Sequence, residues 1–126
     1  MARVLVVDDD EDIRNLVQAR LRAAGHLVVS ASSGPEALDL VDEKGAPDVA
    51  VLDVSMPGMT GLDLLQQLRG REGMSELPVV FLSAKVQEED IEAGRALGAT
   101  YLTKPFVATA LLDAVEKALP DGDGSW

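Results

Sequence analysis

The sequence contains no cysteine, which excludes disulfide frameworks, thiolate metal sites and cysteine nucleophiles. Positive charge is scarce: 11 lysines and arginines stand against 22 aspartates and glutamates, a net charge of −11. So few cations build no basic footprint, and direct binding to nucleic acid is not expected. Long apolar runs are missing too, since none approaches the ~20 residues that span a bilayer. The amino-terminal stretch offers one arginine and then a strand-like run ending in acids, unlike a signal peptide. The expectation is a cytoplasmic chain without membrane contact. Repeats, low-complexity stretches and internal linkers are absent, and no G-x-G-x-x-G follows the first apolar run, against a dinucleotide-binding domain.

What is present fits one folded unit. A chain of 126 residues leaves little room for a second domain. Its 47% hydrophobic residues supply a core, and its 26% charged residues cover a surface. An acidic surface explains most of the charge excess. It does not explain why Asp8, Asp9, Asp10, Glu11 and Asp12 stand together.

Val4 to Val7 is a continuous β-branched and aliphatic run, the pattern of a strand buried on both faces. Ile13, Leu16, Val17, Leu21 and Ala24 then recur at helical spacing up to Gly25. Leu27 to Ala31 predicts a second, shorter strand. Ser33 with Glu36 predicts a capping box for a helix running to Gly45. Val49 to Leu52 predicts a third strand ending at Asp53, followed by a loop over 54–60 and a helix to Gly70. Val79 to Leu82 predicts a fourth strand ending at Ser83. A helix is expected around Ile91 to Leu97, then a fifth strand over Tyr101 to Thr103 and a last helix carrying Ala108, Leu111, Leu112, Val115 and Leu119. A domain over 1–119 is followed by a polar tail over 120–126, expected to be disordered.

Strands alternating with helices of this length imply right-handed crossovers and a parallel sheet covered on both faces, an α/β doubly wound fold. Such folds use the crevice outside the carboxyl ends of the strands. The residues at those ends are Asp8, Asp9, Asp53, Ser83 and Lys104. Converging carboxylates raise one another's pKa values unless a cation joins them. Mg²⁺ suits such a set, because it takes one or two carboxylates, keeps waters and accepts phosphate oxygens. A carboxylate can then serve as nucleophile toward phosphorus. The Lys104 ammonium and the Ser83 hydroxyl are the groups that would meet charge on a phosphoryl oxygen.

Across about residues 3–119 the chain resembles the response-regulator receiver domain of two-component signalling. The likeness rests on VLVVDD (Val4 to Asp9), LDVSMPGMTG (Leu52 to Gly61), LSA (Leu82 to Ala84) and YLTKPF (Tyr101 to Phe106). It implies a flavodoxin-like five-stranded sheet in the order 2-1-3-4-5. It implies that Asp53 accepts phosphate from a histidine kinase or histidine phosphotransfer protein. Asp8, Asp9, Asp53 and the main-chain carbonyl of Ser55 would hold Mg²⁺. Lys104 would meet the phosphate, Ser83 and Tyr101 would act as switch residues, and Pro57, Gly61 and Pro105 would be structural, with the bond before Pro105 cis. The protein would catalyse only its own phosphorylation and dephosphorylation and pass the signal to an effector the sequence does not name.

Some residues depart from the family pattern. Only Thr100 separates Ala99 from Tyr101, which shortens the approach to the fifth strand. Thr60 stands where relatives carry an acid, and the small Ala84 leaves the acceptor pocket open. Lys117 is the lone cation of the last helix, against salt-bridged receiver dimers, so an unphosphorylated monomer is expected. Asp10 and Glu11 read as helix-start charges, and His26 as a surface residue at the start of the second strand. Two other readings are weaker. A haloacid-dehalogenase-like phosphatase, with Asp8 as nucleophile, would need a threonine where Asp12 stands. A receiver that binds partners without phosphorylation would not need the full set of site residues.

Overall fold

Along Val4 to Val7 successive side chains point to opposite faces, so an unbroken apolar run requires cover on both sides. In the computed structural model, which describes residues 2–84, 92, 96 and 98–119, this run forms most of β1 (Arg3–Val7). There follow α1 (Glu11–Ala23), β2 (Leu27–Ala31), α2 (Gly34–Lys44), β3 (Val49–Asp53), α3 (Gly61–Arg69), β4 (Val79–Ser83), β5 (Ala99–Thr103) and α4 (Ala108–Ala118). The strands lie in the order β2-β1-β3-β4-β5, all pairs parallel, as expected for a doubly wound sheet. Of the helix expected around Ile91 to Leu97 only Glu92 and Ala96 are described, both helical; its other residues and the tail over 120–126 lie outside the described residues.

The sheet separates two cores. On one face Leu5, Val7, Leu52 and Phe81 pack with Leu64, Leu65 and Leu68 of α3. On the other Val4, Val6, Val51 and Val80 pack with Val17 and Leu21 of α1 and Leu111 and Val115 of α4. Alternate residues of β1 thus enter different cores, which fixes its register. Its carboxyl end, Asp8, has nowhere to go but the crevice.

Helix ends show how local chemistry sets these elements. Asp10 is the N-cap of α1, its carboxylate accepting from the N–H groups of Asp12 and Ile13, a more specific role than the expected dipole charge. At α2 the Glu36 N–H donates to Ser33 Oγ, but the Glu36 carboxylate accepts from Ser32 instead of closing the expected box. The full reciprocal box belongs to Thr60 and Asp63 at α3.

Two expectations need correction. β5 begins at Ala99, two residues early, because Ala99 and Thr100 pair with Val79 and Val80 and extend the ladder backwards. Thr100 is therefore part of the strand and not a shortened approach to it. His26 is buried, at 7% exposure. Its Nδ1 accepts from the Ala2 N–H at 3.2 Å and its Nε2 lies 3.8 Å from Glu116 of α4. It ties the start of β1 to the last helix, a contact that no local pattern encodes.

Candidate functional site

The ends of β1, β3 and β4 place Asp8, Asp53 and Ser83 side by side, each buried among backbone that the strands have already paired. Asp9, the next residue, turns outward and is exposed. Oxygen atoms of the Asp8, Asp9 and Asp53 carboxylates lie within 4.8 Å of one another. Lys104, just beyond β5, reaches across from the other side. Its Nζ lies 2.9 Å from Asp8 Oδ2 and 3.4 Å from Asp53 Oδ1. The resemblance cast Lys104 as the partner of the phosphate, and here its shorter contact is to Asp8.

Several main-chain bonds hold these groups. The Asp10 N–H donates to Asp8 Oδ1 at 2.9 Å, and the Ser55 N–H donates to Asp53 Oδ1 at 3.4 Å. The Lys104 N–H donates to the Ser83 carbonyl at 2.7 Å, which joins the loop after β5 to β4. The Lys104–Pro105 peptide is cis, as the resemblance implied. Gly61 is needed for its lack of a side chain: a Cβ there would run into the Asp53 carbonyl oxygen and lie 3.0 Å from Val54 Cα. Pro57 is exposed in the loop between β3 and α3. Ser55 is exposed in the same loop and enters the site through its main chain.

Tyr101 lies on β5 beside the site. Its ring packs on Phe81 at a centroid distance of 5.1 Å, and its hydroxyl oxygen is buried. Arg14 was not singled out from the sequence. Its Nη1 donates to the Asp8 carbonyl at 3.0 Å and braces the β1 end from the first turns of α1. A cation six residues after the acid is no recognisable signal, because the contact depends on how α1 folds back over the strand.

Electrostatics set the acidity of Asp53. Burial, then the Asp8 charge, raise its pKa to about 6, with the Lys104 charge pulling the other way. A hydrogen bond shared with Asp9 adds to the rise, and the Ser55 N–H opposes it. For Lys104, burial works against the ammonium, but Asp8 and Asp53 outweigh it and its pKa rises. Three carboxylates facing one ammonium leave two negative charges unbalanced, a deficit that a divalent oxygen-seeking cation matches. The donor set therefore fits Mg²⁺ in both charge and chemistry.

The family model of the response regulator receiver domain matches residues 4–116. The chain is 44% identical over 116 residues to the sensory/regulatory protein RpfC of Xanthomonas campestris pv. campestris, covering 90% of this chain and 16% of that protein. To the alkaline phosphatase synthesis transcriptional regulatory protein PhoP of Bacillus subtilis it is 43% identical over 105 residues, covering 82% and 42%. The chain thus spans less than half of each of these relatives. The chemotaxis protein CheY4 of Vibrio cholerae has a solved structure that matches with a TM-score of 0.86 at 36% identity, covering 94% of this chain and 99% of that one.

Proposed function

The chain belongs to the response regulator receiver domain family of two-component signalling, and from that premise we propose that Asp53 is its phosphoacceptor. Receiver domains act between histidine kinases and effectors and bind Mg²⁺ at an acidic pocket. Here the donor is a histidine kinase or histidine phosphotransfer protein. The observation that carries this reading is the Lys104 ammonium held between Asp8 and Asp53 at the mouth of a three-carboxylate cluster.

The chemistry follows from the placement of the groups. An Asp53 carboxylate oxygen attacks phosphorus, the bond from phosphorus to the donor imidazole nitrogen breaks, and the imidazole leaves with its electron pair and takes up a proton. Phosphoryl transfer asks for alignment and for neutralisation of charge on the equatorial oxygens. Lys104 gives up its pairing with Asp53 to meet one such oxygen, and the Ser83 hydroxyl donates to another. Asp8, Asp9, Asp53 and the Ser55 carbonyl would hold Mg²⁺, which when bound supplies the remaining neutralisation. Ser83 and Tyr101 then pass the new charge on from β4 and β5, which changes how an effector binds. The protein acts on no separate substrate and catalyses only the gain and loss of its own phosphoryl group.

The test is intact-mass measurement after incubation with Mg²⁺ and acetyl phosphate. The expected product is a single phosphoryl adduct, lost on mild alkaline treatment, absent without Mg²⁺ and absent in Asp53→Asn. An adduct of equal yield in Asp53→Asn would place the acceptor elsewhere.

A further inference from the structure

At the other end of the sheet, where β1 and β2 begin, lies a cleft of about 560 Å³. That volume falls within the range of small-molecule sites. Its walls are Val28 and Val29 of the edge strand and Leu40 and Val41 of α2. Leu27 at its lip is 54% exposed, a large apolar side chain left to water.

The rim has the opposite charge to the molecule. Arg3, Arg22 and Lys44 line the cleft and no acidic residue does, although acids outnumber bases 22 to 11 in the whole chain. Arg22 and Lys44 form no salt bridge among the described residues. Instead Arg22 Nη2 donates to the Val28 carbonyl at 3.3 Å, and Arg3 Nη2 donates to the Lys44 carbonyl at 2.7 Å. The Arg22 guanidinium is thereby held at the cleft by a neutral acceptor. Asp48 lies next to the lining residue Pro47, and its carboxylate accepts from the Arg3 main-chain N–H at 2.9 Å.

A simpler explanation is that Arg22 and Lys44 merely complement the last turns of α1 and α2, where they sit. Each helix end is equivalent to about half a negative charge. Two such ends offset about one of these two cations and leave a surplus of about one, with Arg3 beside its carboxylate neighbour Asp48 not counted. Helix capping also gives no reason for the apolar walls beneath them.

We propose that this cleft binds an amphipathic organic anion, an apolar body bearing one carboxylate or phosphate head. The body would cover Leu27, Val28 and Val29, and the head would meet Arg22, Lys44 and Arg3. This site is independent of Asp53 and does not rest on the phosphoacceptor reading.

The test is an amide-resolved NMR titration of the full chain with octyl phosphate, octanoate, octanol and inorganic phosphate. The expected result is saturable shifts confined to residues lining the cleft with both amphipathic anions, the tighter of the two identifying the head group. Octanol and inorganic phosphate alone should each bind roughly tenfold more weakly or worse, a difference of about 1.4 kcal/mol. Arg22→Glu and Lys44→Glu, at exposed positions, should each weaken octyl phosphate several-fold while leaving the melting temperature within a few degrees of wild type. Absence of saturation, octanol binding as tightly as octyl phosphate, or indifference to both charge reversals would overturn the proposal. So would a chain ended at Leu119 that binds roughly tenfold tighter, because the acidic residues after it would then be the natural occupant.

Discussion

Asp53 stands under opposed influences, and their balance is measurable. Burial and Asp8 push its pKa up to about 6 in the metal-free protein, above the ~3.9 of an unfolded aspartate. Between those two values the folded state binds more protons than the unfolded one, so stability falls as pH rises through the interval. Above pH 6 the full penalty of an ionised Asp53 remains. Asp53→Asn removes it. In the presence of a chelator this variant should melt higher than wild type at pH 7.5, and the gain should shrink through pH 6 and vanish near pH 4. Excess Mg²⁺ should narrow the gap by stabilising only the ionised form. Thermal melts across that pH range decide the matter, and a gain independent of pH would sink it. The residues of this site were legible in the sequence because each ends an apolar run. Asp8, Asp53 and Ser83 needed only the topology to bring them together. The preference of Lys104 for Asp8, and the bracing by Arg14, depend on distances between elements and had no local signature.

Among the elements, the turn from β3 into α3 is the most tightly specified. Thr60 and Asp63 cap the helix from both sides, and Gly61 passes so close to the Asp53 carbonyl that a methyl group does not fit. Gly61→Ala must push back backbone, not a flexible side chain. It should destabilise the protein by about 1–3 kcal/mol, the range for overpacking. The check is a shift of the urea midpoint at constant slope. Strands were the easiest elements to foresee, since burial on both faces leaves an uninterrupted apolar run. β5 was read two residues short because Ala99 and Thr100 are not apolar runs; they join the ladder only because β4 lies beside them. Ser33 caps α2 as expected, and only the return bond of Glu36 falls one residue away, on Ser32, for a similar reason. A carboxylate can reach either Ser32 or Ser33, and sequence spacing does not choose between them. His26 looked like a surface residue because its burial depends on Ala2 and α4, which are distant in the chain.

On the scale of the whole molecule, a net charge of −11 is carried by a compact body. Self-repulsion of this kind lowers the stability of the folded state and is screened by salt, with a Debye length of about 30 Å at 0.01 M and about 10 Å at 0.1 M. Sodium chloride should therefore raise the melting temperature over this range. It should do so in Asp53→Asn as well, since the effect belongs to the surface and not to the site. A flat profile by differential scanning calorimetry would show that the charges are already locally compensated.

The contact between Lys104 and Asp8 joins residues 96 positions apart, the last turn of the sheet to its first strand. Contacts of such separation form late, because the loop between them must close before they give anything back. An incompletely folded chain can gather its acids without the ammonium that meets them, so it offers a phosphate donor an uncompensated cluster of like charge. On the reading proposed for Asp53, competence to accept a phosphoryl group thus depends on the finished fold.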